Sequence, residues 1–289
     1  METIKNSFKN KEALSDTLHS TMLDFFKKYL LVGGFPKAVA EFLESRNIVE
    51  VRKIQQEIHN MYDVDASKYE VENNKKLKIR RIFDMIPSTL ENKKKRVVIK
   101  DIEDKKWKRS DDYIDEFEYL ISAGITLEVR AVSKPSYPLV ENSGKNLLKL
   151  YLNDVGMLSG VYYKNSIKAV MSDVSSVNLG SVYETAVAQE LKAHGYNLYY
   201  YDNKKNGEVD YLIDDTDNLS NVPIKVKSGK DYTVHSALDK FLSIKEYNIR
   251  QAYVLSNEKK VYTDNGITYM PIYYVMFFEN EPADEVVLL

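Results

Sequence analysis

The spacing of apolar and polar positions changes twice along the chain. Up to about Tyr69 apolar residues recur at helical intervals, interrupted at Gly33-Gly34-Phe35-Pro36. Paired glycines and a proline force a turn there that can open a new helix near Lys37. Residues 70 to 150 carry helical patterns around Leu77 to Met85 and from about Asp111 to Ala123, then strand-like TLEVRAV and LLKLYL around a proline-containing connection. Helix followed by two strands is a winged-helix-like order. Further on, LGSVYETAVAQELKAHG places Tyr183, Val187 and Leu191 on one stripe and ends at Gly195, predicting a helix from about Ser181 to His194. Two short runs, Val209 to Ile213 and Val222 to Val226, alternate with charged residues around a loop rich in Asp, Asn and Ser, and predict a β-hairpin.

The candidate chemistry sits in this last part. Strict alternation along a strand sets Glu208 and Asp210 on one face, and Lys225 and Lys227 on one face of the next strand. Glu184 precedes Val187, Ala188 and Leu191 by three, four and seven residues, so its carboxylate lies beside the buried stripe of the preceding helix and needs a partner.

A helix with Glu, a strand with Asp, then a strand ending in a residue, an apolar residue and Lys resembles the PD-(D/E)XK nuclease superfamily. The resemblance implies a restriction-endonuclease-like α/β domain in which carboxylates hold Mg²⁺ and the lysine positions the attacking water. It would make Glu184 the helix carboxylate, Asp210 the central ligand and Lys227 the motif lysine, with Glu208 or Glu190 able to add an oxygen. The remaining carboxylate position, however, is Lys225. An ammonium about 4 Å from a divalent cation is repelled by roughly 2 kcal/mol in water and about 8 kcal/mol at an effective dielectric of 20. The site is therefore expected to be degenerate, a buried ion-pair network of Asp210 and Glu184 against Lys225 and Lys227.

YLLVGGFPKAV, IQQEIHNMYDVDASKY, IFDMIPSTLENKKKRV, LYLNDVGMLSG and LGSVYETAVAQEL, in this order, resemble the carboxy-terminal part of a family of prokaryotic AAA-type ATPases, known as domain of unknown function 4143. That resemblance extends over nearly the whole chain and implies an ATPase core as partner, with the first helices as its lid. The chain itself shows no phosphate-cradling loop. Gly144-Lys145 is followed by Asn146, and Gly229-Lys230 by Asp231 with Ile224 where the first glycine belongs, so no ATP binding is expected.

Composition adds exclusions. The 289 residues contain no cysteine, which rules out disulfides and thiolate metal sites. No apolar run reaches the roughly 18 to 20 residues of a membrane span and METIKNSFKNKEAL lacks a signal-peptide core, so a cytoplasmic protein without membrane contact is expected. With 41 basic and 43 acidic residues, nucleic-acid contact has to come from local patches. The helix before the presumed wing presents Asp111, Asp112, Asp115, Glu116 and Glu118 outward, with Tyr113, Ile114, Phe117 and Leu120 inward. Its acidity opposes DNA reading and suits packing on protein. Basic runs at Lys75, Lys76, Lys78, Arg80, Arg81 and at Lys93 to Arg96 read as solvated surface or as a nucleic-acid patch, with Trp107 and nearby tyrosines as stacking groups. His19, His59, His194 and His235 show no metal-ligand spacing, and Asp63 with Asp65 reads as a capping or ion-pairing pair.

The resulting expectation is a helical, winged-helix-like portion over residues 1–160 and a nuclease-like α/β domain over 161–289, the boundary near KNSIKAVMSDVSSVN. The expected role is a non-catalytic, protein-partner-binding or nucleic-acid-sensing module. The alternative is a Mg²⁺-dependent nuclease acting on DNA through Asp210, Glu184 and Lys227.

Overall fold

A computed structural model describes residues 1–68, 73–103, 109–172, 178–229 and 231–280. Trp107 lies outside the described residues, as do part of the expected boundary segment and the side chain of Asp63. The fold is mixed α/β, helical first and then organised around one sheet.

The first helices are α1 (Glu2–Lys9), α2 (Asp16–Val32), α3 (Pro36–Ser45), α4 (Ile48–Lys68), α5 (Asn73–Glu91) and the single turn α6 (Ile99–Ile102). The expected break separates α2 from α3. Gly33 adopts φ +75, outside the range comfortable for side chains, and Pro36 stands at the first helical position of α3. The turn is held from below by Asp154, whose carboxylate accepts the Gly34 N–H at 2.6 Å and the Met157 N–H at 3.1 Å. Asp154 thereby caps α8 (Val155–Tyr163), the helix packed against α2, after α7 (Ile114–Ser122) in sequence. Arg52 and Gln55 from α4 bond the Leu31 carbonyl in the same knot, and Arg52 also bonds that of Gly156. The GGFP turn thus has a packing role.

Helix α7 keeps most of its expected face, with Tyr113, Phe117 and Leu120 buried, and departs from it at two positions. A 3₁₀ turn at Ser110–Tyr113 precedes it, and three rather than 3.6 residues per turn shifts the phase of the helix that continues from it. Ile114, expected inside, is exposed, whereas Glu116 is buried and pairs with Lys78 at 3.6 Å. Lys75 pairs with Asp115 at 2.8 Å, so the acidic helix packs on the basic α5. Lys75 and Lys78 of the first basic run are used here.

Eight strands form one sheet in the order β2-β1-β3-β4-β5-β6-β8-β7. They are β1 (Thr126–Val132), β2 (Ser143–Leu152), β3 (Tyr199–Asn203), β4 (Gly207–Asp215), β5 (Ser220–Val226), β6 (Ala252–Ser256), β7 (Tyr262–Asp264) and β8 (Ile267–Pro271). The two strands expected as a wing are β1 and β2. They pair antiparallel with each other, and β1 joins β3 in parallel, so this hairpin extends the sheet of the second half. The short α9 (Ile167–Met171) leads towards α10 (Gly180–Ala193), and α11 (Ser236–Leu242) follows β5. Val182, Tyr183 and Val187 of α10 share a core with Tyr200, Tyr211 and Ile224, while Leu238 and Phe241 of α11 share a second with Tyr201, Val209 and Val254. The sheet is therefore covered on both faces, and α10 brings Glu184 to the centre of one of them.

Candidate functional site

The site forms where β4 and β5 separate. Their ladder ends at Tyr211 opposite Ile224, which sets Asp210 against Lys225 one step further. There the Asp210 carboxylate replaces the strand: Oδ2 accepts the Val226 N–H at 2.8 Å and Oδ1 takes the Lys225 ammonium at 2.6 Å. On the other edge of β4, Tyr199 pairs with Leu212 but Tyr201 with Val209, so Tyr200 alone faces both Asp210 and Tyr211. This bulge interrupts the alternation that would align Glu208 with Asp210. Their carboxylates go to different lysines.

Glu208 pairs with Lys149 of β2, an ammonium buried without exposure and stacked 4.4 Å from the centre of the Tyr200 ring. Glu184 pairs with Lys95 at 2.5 Å and accepts the Tyr151 hydroxyl at 3.2 Å. The Tyr211 hydroxyl donates to the Glu184 backbone carbonyl at 2.8 Å, tying β4 to α10 beneath the carboxylates. Arg96, next to Lys95, pairs with Asp202 of β3 at 2.5 Å.

The charges reinforce one another. Burial pushes the Asp210 carboxyl up, but Lys225, Lys95 and the two hydrogen bonds outweigh it and hold the group below the usual carboxylate range. Burial disfavours the Lys225 ammonium, and Asp210 with the neighbouring carboxylates more than offsets this. Lys95 is likewise raised against burial, chiefly by Glu184 and then by Asp210. Lys227 moves the other way, lowered by burial and by the repulsion of Lys225. Its ammonium donates to the Val234 carbonyl at 2.7 Å, away from Asp210. Of the residues expected to converge, Glu184, Asp210, Glu208 and Lys225 lie in one electrostatic cluster, while Lys227 stands at its margin.

This arrangement does not fit Mg²⁺. The carboxylates that would supply its oxygens are each bound to an ammonium, and among the described residues no group of three or more His, Cys, Asp or Glu is placed to hold a metal ion. Glu190, the reserve ligand, instead faces His194 at 3.5 Å.

Sequence reasoning missed Lys95 and Lys149. Lys95 is submerged in a basic run whose neighbours Lys93 and Lys94 are indeed exposed. Lys149 carries a usable signal: a lone cation inside LLKLYL, in a strand too apolar for a solvated face, calls for a buried partner.

A mixed α/β protein whose carboxylate cluster is countered by lysines is the class that fold and site define. The chain belongs to the family described as Domain of unknown function (DUF8612), whose model matches residues 23–169, just over half of its length. A second family model, Domain of unknown function (DUF4143), matches residues 179–275. The latter likeness, expected to run along nearly the whole chain, is thus confined to the part containing α10 and β3 to β8. No curated protein and no solved structure matches the chain.

Proposed function

We propose that this chain is a non-cutting binding module that contacts the phosphate backbone of nucleic acid beside a lysine-filled, nuclease-like centre. The observation that carries the reading is the charge balance around the fork, the place where β4 and β5 separate. Glu184, Asp210, Glu208 and Asp202 are met by Lys95, Lys225, Lys149 and Arg96. Around these matched pairs stand Lys93 and Lys94 before the Lys95 loop and Lys204 and Lys205 in the β3–β4 turn. All four are exposed and form no ion pair among the described residues. A local cationic surplus on a chain of formal charge −2 favours a polyanion at this place and nowhere in general. The resemblance to AAA-type ATPases supports an ATPase core as the partner that such a module would inform.

The test is fluorescence anisotropy of labelled single-stranded and duplex DNA against a salt series, followed by incubation with Mg²⁺ and Mn²⁺. Binding that weakens steeply with salt, without metal-dependent cleavage, is expected. Absence of binding at low salt rejects the reading. Cleavage that is lost in Asp210→Asn moves the chain to the nuclease class.

A further inference from the structure

Three of the four ion pairs at the fork run between the two family-model regions, and all in the same sense. Lys95, Arg96 and Lys149 belong to residues 23–169; their partners Glu184, Asp202 and Glu208 belong to residues 179–275. Only Lys225 with Asp210 is internal to the second region. The three cations are not equally fixed. Lys149 is a strand residue with no exposed side-chain surface. Lys95 lies in the connection after α5, at φ +51, with 19 % of its side chain exposed and two exposed lysines directly before it. That connection is pinned on its far side, where the Val97 N–H donates to the Leu148 carbonyl of β2. A short backbone change between α5 and Val97 would therefore release Lys95 while the sheet stays intact.

We propose that the Lys93–Arg96 segment is an anion-responsive latch: a nucleic-acid phosphate competes with Glu184 for Lys95 and, by taking it, removes one of the three ion pairs that cross between the two regions while the shared sheet stays intact. This rests on the backbone-binding reading above and adds how occupancy of the rim is sensed. The competition is chemically matched, since a phosphate oxygen and a carboxylate offer an ammonium the same charge-assisted hydrogen bond. Lys93 and Lys94 supply the attraction that brings the phosphate within reach. Uncovering Glu184 leaves a buried carboxylate with the Tyr151 hydroxyl as its one remaining side-chain donor among the described residues, so the released state is strained and reverts when the strand leaves.

Linkage gives the decisive measurement. If Lys95 has to leave Glu184 before it reaches a phosphate, neutralising Glu184 removes that cost and tightens binding. Glu184→Gln keeps the side-chain shape. Its dissociation constant for labelled oligothymidylate, by anisotropy at fixed salt, is expected to fall several-fold below the parent's. Lys95→Met is expected to weaken binding and to lower the salt slope by about one. Carbodiimide labelling of carboxyl groups, read by peptide mass spectrometry on the unmutated chain, supplies an arm independent of mutant folding. Oligothymidylate is expected to raise labelling of Glu184 severalfold and to leave Asp210, which is held within its own region, unchanged.

Oligonucleotide that binds with no change at Glu184, or Glu184→Gln that binds no tighter, overturns the latch while the binding reading stands. Absence of any binding overturns both.

Discussion

Asp210 and Lys225 face each other at the open end of the β4–β5 hairpin, Oδ1 to Nζ 2.6 Å, with the second Asp210 oxygen closing on the Val226 N–H. One carboxylate therefore neutralises a half-buried cation and ends a sheet ladder. Both roles tie Asp210 into the bonding of the hairpin itself.

Replacing Asp210 with Asn tests this directly, because volume is kept and charge removed. The Lys225 ammonium, 17 % exposed, would lose the carboxylate bonded to it directly and keep only the more distant Glu184 and Glu208. Breaking a buried pair from one side costs about 3–5 kcal/mol. We expect the urea midpoint of Asp210→Asn to fall accordingly without added metal. A variant as stable as the parent would show that the carboxylate is relieved rather than missed when neutralised, as in a crowded metal-binding set.

The pH dependence comes from the direction of the Asp210 shift. A carboxyl held below its unfolded value, about 3.9, contributes stability that is fully present above that value and is lost as pH falls through the lower folded value. The stability difference between parent and Asp210→Asn is thus expected to be flat from about pH 7 to 5 and to shrink below about pH 4. Burial pushes the Asp154 carboxyl up, opposite in sign, but Asp154 is common to both proteins and cancels in the difference. A gap that widens on acidification would contradict the assignment.

How far these relationships could be read from sequence depends on their range. The α10 helix, the β4–β5 hairpin, and Asp210 against Lys225 are local, fixed by period and by a loop of a few residues. The placing of Lys225 beside Asp210 was legible for the same reason. The Lys95–Glu184 and Lys149–Glu208 contacts join residues 89 and 59 positions apart, and no periodicity encodes which distant strand or loop arrives. On α7 the buried Tyr113, Phe117 and Leu120 were legible, and only the exposed Ile114 and buried Glu116, next to the preceding 3₁₀ turn, were not.

Gly33 gives a prediction far from the fork. Its φ of +75 is strained for any side chain, and an added Cβ would come within 2.1 Å of Asp154 Oδ1. That oxygen cannot move freely, since the same carboxylate holds the N–H groups of Gly34 and Met157. Gly33→Ala is expected to cost more than about 1 kcal/mol, the upper end of a compatible glycine replacement. Thermal unfolding checks it, and a stabilised variant would mean that the turn relaxes without using Asp154.

Lys149 and Glu208 yield an asymmetry. The Lys149 side chain has no exposed surface, whereas the Glu208 side chain is 28 % exposed. Lys149→Met keeps a chain of similar length against Tyr200 and removes the cost of burying an ammonium, while Glu208 can still be hydrated from its open side. Glu208→Ala does the reverse, leaving the ammonium in the interior with the Tyr200 ring face as its remaining electrostatic partner. Removing one member of a buried pair in that sense costs about 3–5 kcal/mol, whereas replacing the buried charge by a well-packed apolar group is often neutral. We therefore expect Lys149→Met to lie close to the parent in urea unfolding and Glu208→Ala to lie far below it. Equal losses would place the desolvation cost on both partners alike. A larger loss for Lys149→Met would make the ammonium a net stabiliser of the β2 edge, and the carboxylates at the fork would then depend on their lysines more than burial alone requires.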